Sequence, residues 1–320
     1  MKKLVNRIAV IALCFWLLPG SASAARFLVP VGKVVGLELR SGSMTVAAFD
    51  DSQSAKEAGL KIGDEILEID GKQIENPTDI YAVLEASDGK VEVLVDRDGK
   101  EKAVTLKPKI TKEGPRLGIY LRRGTTGVGT VTWYDPETGH FGTLGHGVND
   151  GKGCLLEMTE GLAWPASVVS VEKGRVGKPG QLRGAVQGEK ELGVLSGNTA
   201  CGVFGKSFHG WSGEVLPVAE YEDICTGEAT ILSTVSGDEV QEYSVEIMKI
   251  YPEDKADGRN LLLKVTDPEL LDATGGIVQG MSGSPIIQDG KLVGAVTHVL
   301  VNDPTTGYGI FIENMLDAAA

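Results

Sequence analysis

One short segment near the C-terminal end of this 320-residue chain combines serine and glycine in a pattern that suggests chemistry. It reads GGIVQGMSGSPII, residues 275–287. Ser282 is followed directly by Gly283, and Met281 separates it from Gly280. A serine that attacks a carbonyl needs an exposed Oγ, a base within reach and backbone N–H groups aimed at the developing oxyanion. Because glycine lets consecutive N–H groups converge without a Cβ atom in the way, a tight Gly-x-Ser-Gly turn meets that need.

The base for such a serine is most often a histidine, and the chain has four. His146 lies between Gly145 and Gly147, where the backbone can turn and leave the imidazole accessible to a nucleophile and a substrate. A Gly-His-Gly sequence by itself is equally compatible with a structural or surface histidine. His140 follows the turn-forming residues 136–139 and is interpreted as a turn residue.

The elements that must position these side chains are mostly short strands. From Arg116 onward, apolar segments rich in β-branched residues alternate with glycine-containing turns. This pattern predicts an all-β sandwich or a pair of barrels. Helices are expected only at residues 268–274 and 313–319. The acidic composition, with a net charge of −13, disfavours nucleic-acid binding because such a surface repels phosphates.

The preceding part of the chain has a different pattern, in which strands and helices are mixed. Its predicted elements are a helical turn, a strand, a helix and two further strands, at residues 54–60, 64–69, 77 onward, 91–95 and 103–106. Hairpin turns are predicted at Asp70-Gly71 and Asp98-Gly99. Residues 108–115 are polar and bounded by prolines, and are interpreted as a linker.

Residues 27–110 resemble a PDZ domain of the type attached to bacterial exported proteases. The stretch from Ala58 to Lys72 carries the most specific part of the resemblance. Gly36, Leu37 and Leu39 then resemble the loop and strand that hold a peptide carboxylate, and a peptide C-terminus or internal segment is expected to add beside them as a strand.

The serine segment resembles the G-D-S-G-G-P signature of chymotrypsin-like serine proteases, with Met281 replacing the aspartate and Ser284 the second glycine. Together with the PDZ module, the Gly-x-Leu-Gly-His motif ending at His146 and the segment 274–304, it resembles the stage IV sporulation protein B peptidase family. The resemblance implies a mainly β fold, with a chymotrypsin-like double β-barrel peptidase domain at 114–320 preceded by a small α+β PDZ domain.

The family resemblance also implies roles for individual residues. Ser282 is the implied nucleophile, His146 the implied base and Asp267 the implied acid that orients the imidazole, while the backbone N–H groups of Gly280 and Ser282 hold the oxyanion. Residues 297–299 are expected in the strand that lines the substrate cleft.

The assignment of the acid leaves alternatives open. Asp267 is followed by Pro268, a pair that is also typical of a helix N-terminus. Asp150 and Asp223 are rival acids. Ser284 is a lesser candidate for the nucleophile, because its place before Pro285 suggests a structural role.

The implied function is that of an exported serine endopeptidase with no cofactor or metal, and no metal-ligand spacing of cysteine or histidine occurs. The family resemblance implies that it cuts a membrane-associated regulator of a membrane-embedded protease during sporulation, that it cleaves itself, and that it is at least transiently associated with a membrane. The alternative is a non-catalytic exported scaffold that binds peptides.

The first 24 residues have the order of a secretory signal: a basic start, an apolar run and an Ala-Ser-Ala site. Retention of this segment as an N-terminal anchor is the alternative; either way, export across the cytoplasmic (forespore) membrane is expected. Cys154, Cys201 and Cys225 follow it, and the sequence does not choose a disulfide pair among them.

Overall fold

The computed structural model describes residues 26–252 and 258–320. The chain begins in a β-barrel with strands β1 (Phe27–Pro30) and β2 (Val34–Ser41). It then leaves this barrel and returns to it at Thr125, so that an entire second domain is inserted between two neighbouring barrel strands. The predicted signal segment, residues 1–24, lies outside the described residues.

The inserted domain is a six-stranded antiparallel sheet with two helices and a separate hairpin. Its elements are β3 (Met44–Phe49), α1 (Ser54–Glu57), β4 (Glu65–Ile69), β5 (Lys72–Gln73), α2 (Pro77–Ala86), β6 (Val91–Arg97), β7 (Lys100–Leu106), β8 (Lys109–Thr111), β9 (Gly114–Arg116) and β10 (Ile119–Arg122). The sheet order is β10-β3-β4-β6-β7, with β5 paired to β4. Its apolar side chains form a core separate from those of the barrels.

Local sequence signals account for most of this domain. The predicted hairpin turns at Asp70-Gly71 and Asp98-Gly99 have positive φ at both residues, which is the conformation of a tight two-residue turn. Helix α2 begins with a capping box between Asn76 and Asp79. The predicted strands and helices of this region are present.

The structure corrects two predictions about the border of this domain. Strand β2, which contains Gly36, Leu37 and Leu39, belongs to the barrel and is paired along both edges, so no peptide can add to it there. The predicted linker at 108–115 is instead the β8–β9 hairpin, and β10 after it completes the inserted sheet. The inserted domain therefore lies between two strands of the first barrel rather than before the double barrel.

The first barrel closes through strands that follow the insertion. They are β11 (Thr125–Tyr134), β12 (His140–Thr143), β13 (Met158–Glu172), β14 (Gln181–Val186), β15 (Gly193–Thr199), β16 (Gly202–Ser207) and β17 (Leu216–Pro217). Five of them close with β2 into a six-stranded barrel, in the order β2-β11-β12-β16-β15-β13, while β14 extends the sheet from β13. His140, predicted as a turn residue, is the first residue of β12.

The second barrel consists of six antiparallel strands and carries two short helices. Its elements are β18 (Gly227–Ser233), β19 (Gln241–Ile250), β20 (Leu261–Val265), α3 (Pro268–Thr274), β21 (Pro285–Gln288), β22 (Lys291–Leu300), β23 (Asp303–Phe311) and α4 (Ile312–Ala319). The strands close in the order β18-β19-β20-β23-β22-β21. The predicted double barrel is confirmed, and helices are present at both predicted places.

Within the described ranges, no helix has the length and hydropathy that a membrane span requires. Cys154 and Cys225 are exposed free thiols.

Candidate active site

A cleft of about 460 Å³ contains both residues that the sequence singled out for chemistry. Ser282 reaches it from the second barrel and His146 from the first. Thr297, His298 and Val299 of β22 line it as predicted. A cleft between two rigid barrels is a common place for an active site, because each barrel fixes its own group independently of the other.

The serine lies in a tight turn between α3 and β21. Gly280 and Gly283 have φ values of 101° and 96°, which side chains rarely adopt. A Cβ atom on Gly283 would lie 2.1 Å from the carbonyl oxygen of Thr130, so the turn can approach β11 only because this residue is glycine. Met281, which replaces the aspartate of the chymotrypsin-like signature, points into the core of the second barrel and is fully buried.

The turn presents two backbone N–H groups in the manner expected of an oxyanion site. The carbonyl of Gln279 accepts a hydrogen bond of 2.8 Å from Leu182 N, and the carbonyl of Met281 accepts one of 2.9 Å from Ser284 N. These bonds fix the peptide units whose N–H groups belong to Gly280 and Ser282. Neither N–H group donates to another group in the described part of the chain, and both residues line the cleft.

The hydroxyl of Ser282 is not directed at a base in this structure. Its Oγ donates a hydrogen bond of 2.7 Å to the carbonyl oxygen of Thr297 in β22. Attack on a substrate requires that the hydroxyl exchange this acceptor for the imidazole of His146. The exchange of one hydrogen bond for another changes the free energy by only about 1 kcal/mol, so the arrangement is a resting state with an accessible alternative.

His146 follows β12 through two residues with left-handed backbone. Leu144 and Gly145 both have a φ of 68°, and such a conformation at a non-glycine residue is strained and concentrated at functional sites. The Nδ1 of His146 lies 2.9 Å from the carbonyl oxygen of Gly147. Because a carbonyl can only accept, Nδ1 carries the proton of the neutral ring and Nε2 keeps its lone pair.

The protonation state of His146 suits a general base. Burial lowers its pKa below the ordinary value, and the hydrogen bond to Gly147 offsets only part of that effect. The imidazole is therefore neutral at neutral pH and can accept a proton from a serine hydroxyl.

Asp267 does not meet His146 in the structure. It is the N-cap of α3, where its Oδ1 accepts hydrogen bonds from Glu269 N and Leu270 N at 2.9 and 3.0 Å. Its Oδ2 accepts from Ser244 N at 3.2 Å. The implied role of Asp267 as the orienting acid is thus not borne by this geometry, because both carboxylate oxygens are engaged by backbone N–H groups at the end of a helix.

The rival residues are also placed elsewhere. Asp150 accepts hydrogen bonds from the backbone of Lys152 and Cys154 and so stabilises its own turn. Asp223 forms an ion pair of 2.7 Å with Lys291. Ser284 is fully buried and donates to Ser233 Oγ, which agrees with a structural role.

Sequence reasoning missed the second histidine of the site. The rings of His146 and His298 are tilted with respect to each other, with centroids 5.2 Å apart. The motif Thr-His-Val at 297–299 was expected to line the cleft, but nothing local in it indicates that its histidine meets His146. That proximity results from packing one barrel against the other.

Comparison with known families decides the class of this site. Residues 113–316 match the model described as SpoIVB peptidase S55, and residues 45–97 match a PDZ domain. The chain belongs to the SpoIVB peptidase S55 family. Its larger domain is accordingly a serine peptidase domain, and the domain inserted in its first barrel is a PDZ domain.

Other relatives of this S55 family member share only parts of it. The Bartonella henselae protein BH06270, which is named as a zinc metalloprotease, is 31% identical over 94 residues, or 29% of this chain. Zinc metalloprotease RasP of Geobacillus kaustophilus is 35% identical over 68 residues, or 21% of this chain. The chain spans 25% and 16% of the lengths of these curated relatives.

Two solved structures resemble parts of this S55 family member. The active form of the Rv3671c protease from M. tuberculosis has 16% identity and a TM-score of 0.38, with 61% of this chain and 73% of that chain covered. The PDZ domain of the SdrC-like protein from Listeria monocytogenes has 22% identity and a TM-score of 0.23, with 26% of this chain and 92% of that chain covered.

Proposed function

We propose that this protein is an exported serine endopeptidase in which Ser282 is the nucleophile and His146 the general base. The observation that carries the proposal is the shared cleft, in which a serine of one barrel and a neutral histidine of the other lie beside two unpaired N–H groups. Such groups can bind the oxyanion of a tetrahedral intermediate.

The reaction follows from these positions. The Ser282 hydroxyl turns from the Thr297 carbonyl to Nε2 of His146, which takes its proton as Oγ bonds to the peptide carbonyl carbon. The oxyanion is held by the N–H groups of Gly280 and Ser282. The C–N bond then breaks, and the imidazolium gives its proton to the leaving amine. Water, deprotonated by the same imidazole, hydrolyses the acyl-enzyme and restores the serine.

The cleft favours an apolar substrate segment. None of its lining residues in the described ranges is Asp, Glu, Lys or Arg. Its apolar lining residues include Ile277, Val278, Val299 and Val301. Ile277 Cδ1 lies only 2.6 Å from where a Cβ atom on Gly307 would be, so this side chain packs on the backbone of β23.

An aliphatic surface beside the proposed nucleophile suits a small aliphatic side chain on the acyl side of the scissile bond. Sequencing the products of a peptide library tests this preference. Replacement of Ile277 by Ala should admit larger side chains such as Leu or Phe, whereas Ile110→Ala, at an exposed position in β8, should leave the preference unchanged. A preference for Arg or Lys would contradict the proposal.

The PDZ domain offers a different strand for peptide binding from the one predicted. Strand β10 lies at the edge of its sheet, and in the described part of the chain its outer edge has no partner strand. The sequence Leu117-Gly118-Ile119 precedes it, and Ile119 and Leu121 pack against the core that contains residues of α2. An extended peptide can add to this edge by backbone hydrogen bonds.

The signal in the sequence for this site was the apolar-Gly-apolar pattern at 117–119, which lies just beyond the segment interpreted as a linker. Replacement of Leu121 by Pro removes a backbone N–H group from β10 and introduces a rigid ring. We expect this variant to weaken the binding of peptides to the PDZ domain while unguided cleavage of short peptides persists.

The biological substrate we propose is a membrane-associated regulator of a membrane-embedded protease in sporulation. Export across the cytoplasmic (forespore) membrane and self-cleavage are parts of the same proposal. Membership of the S55 family supports these points.

The decisive experiment compares Ser282→Ala with Ser284→Ala. The first variant should lose detectable cleavage of the candidate regulator and of itself, as read by mass spectrometry of the purified protein and its substrate. The second should keep cleavage, because Ser284 donates only to a buried hydroxyl. Full activity of Ser282→Ala would instead favour the non-catalytic scaffold, in which the PDZ domain provides binding alone.

A further inference from the structure

We propose that Thr130 is a positioning residue for the oxyanion site, a role that rests on the proposed function. Thr130 lies in β11 of the first barrel and is fully buried. It holds the serine turn of the second barrel by two hydrogen bonds and thereby keeps the N–H groups of Gly280 and Ser282 directed into the cleft.

The contacts of Thr130 span the interface between the barrels. Its Oγ1 donates a hydrogen bond of 2.9 Å to the carbonyl oxygen of Gly280. Its backbone N–H donates one of 3.1 Å to the carbonyl oxygen of Ser282. The carbonyl of Thr130 in turn accepts a bond of 3.3 Å from Leu144 N, two residues before His146. One strand residue therefore contacts the segments that carry both the nucleophile and the base.

These bonds complete the immobilisation of the turn. The carbonyls of residues 279 and 281 are held by Leu182 N and Ser284 N, and those of 280 and 282 are held by Thr130. All four consecutive carbonyls from 279 to 282 thus have a donor. Since a planar peptide unit directs its N–H opposite to its C=O, the bonds from Leu182 and Ser284 fix the N–H groups of Gly280 and Ser282. The bonds from Thr130 fix the peptide unit that follows each of these two.

Only one of the four donors belongs to a side chain, and that is Thr130 Oγ1. It can be deleted without changing the backbone. Without it, the peptide unit between Gly280 and Met281 is held only by the 3.1 Å hydrogen bond from Met281 N to the carbonyl oxygen of Val278. Because this unit joins the two that carry the N–H groups of Gly280 and Ser282, its tilt should disturb their alignment. Removal of an entire oxyanion donor lowers kcat by about 10²–10³, so indirect loss of alignment should lower kcat by about tenfold.

The experiment uses Thr130→Val, which keeps the shape of the side chain and removes the hydroxyl. We expect kcat to fall about tenfold while KM stays within about twofold, because the oxyanion forms only in the transition state. A peptide aldehyde, whose adduct places an oxyanion in the site, should bind more weakly to about the same extent. Thr130→Ser keeps the hydroxyl and should restore kcat to within about threefold of the natural protein.

Thr132→Val is the matched control. Thr132 lies two residues along the same strand and is also fully buried, but its Oγ1 has no hydrogen-bond partner. Its replacement should leave kcat unchanged and should not lower the thermal stability. If Thr130→Val fails to fold, Thr130→Ala deletes the same hydroxyl and is tested in the same assays.

Unchanged kcat in the folded Thr130→Val variant would overturn the role of Thr130. So would an equal loss of kcat in Thr132→Val, which would indicate a general effect of packing in β11. If the natural protein itself neither cleaves peptides nor binds the aldehyde, the proposed function fails, and this inference fails with it. That outcome is distinct from the first two, in which the natural protein is active.

Discussion

Lys152 Nζ lies 2.8 Å from Asp96 Oδ2 and joins the segment that carries His146 to the PDZ domain. It also lies 3.7 Å from Glu65 Oε2. Lys152 is at the tip of a short loop after His146, and the base of that loop is held by Asn198. The side chain of Asn198 bonds the N–H and the carbonyl of Val148 and the carbonyl of residue 156. The position of the PDZ domain is thereby linked to that of His146.

Replacement of Lys152 by Met should weaken this link and lower kcat/KM by two- to threefold, because the loop keeps its bonds to Asn198 but loses its contact with the PDZ domain. The ion pair raises the pKa of Lys152 and lowers that of Asp96, as expected of opposite charges in contact. Since salt screens partly exposed pairs, the difference between the variant and the natural protein should shrink at about 1 M salt. Steady-state kinetics at low and high salt measure this effect.

Lys190→Met is the control for this prediction. Lys190 is exposed and has no ion pair in the described ranges. A loss of kcat/KM in Lys190→Met equal to that in Lys152→Met would attribute the effect to net charge rather than to the contact with the PDZ domain.

The dependence of activity on pH should reflect the lowered pKa of His146. The base works only when neutral, so kcat/KM should be constant above pH 6.5 and decline only as the pH falls through a value below 6.5. A pH–rate profile measures this decline. A midpoint above 6.5 would show that a nearby carboxylate stabilises the imidazolium in the working enzyme.

The same shift predicts how His146 affects stability. In the folded protein burial disfavours the protonated imidazole, so between its lowered pKa and 6.5 the unfolded chain binds more protons. The contribution of the neutral His146 imidazole to the free energy of unfolding is therefore complete above pH 6.5. It is lost as the pH falls from 6.5 through the lowered pKa of the folded protein. His146→Gln, which does not titrate, should show a smaller fall of the melting temperature between pH 7.5 and 5.

Two variants of Asp267 separate a helix cap from a catalytic acid. Asparagine caps helices about as well as aspartate, although its Nδ2 cannot accept the hydrogen bond from Ser244 N. Asp267→Asn should therefore lower the melting temperature only slightly and keep the turnover per folded molecule within about threefold. Asp267→Ala should lower the free energy of unfolding by about 1 kcal/mol. Thermal unfolding and active-site titration measure these effects. A loss of kcat by several orders of magnitude in a folded Asp267→Asn would instead show that a working conformation brings this carboxylate to His146.

Gly283→Ala should abolish activity and lower stability together. The new Cβ atom would lie 2.1 Å from the Thr130 carbonyl oxygen and 2.5 Å from Leu144 N, both rigid backbone atoms, at a residue whose φ is 96°. The serine turn would have to move away from β11. Gly197→Ala provides the comparison, because nothing lies within 4 Å of its Cβ position. That variant should be active and about as stable as the natural protein, as judged by hydrolysis rate and thermal unfolding.

Features with a local cause were predictable from the sequence. The turns at Asp70-Gly71 and Asp98-Gly99, the helix that begins at Pro77 and the helix at 268–274 all appear where their sequences indicate them. Each depends on residues within a few positions of one another. Ser282 and His146 were also identifiable, because the glycines that a reactive turn needs are their neighbours in the chain.

Features that depend on which strands pair were decided by the tertiary structure. Strand β2 precedes the PDZ elements in the chain but pairs with β11 and β13, and so Gly36 belongs to the barrel. No local pattern shows whether β2 pairs within the barrel or within the PDZ sheet, since an apolar strand can pack in either one.

The sequence by itself indicated a PDZ domain and a double barrel, and it predicted Ser282 as the nucleophile and His146 as the base. The tertiary structure alone decided that Asp267 caps a helix, that His298 adjoins His146, and that Thr130 holds the serine turn. The reason is physical. A turn or a cap depends on bonds between neighbouring residues, whereas the bond between Thr130 and Gly280 joins residues 150 positions apart and exists only after two barrels have packed together.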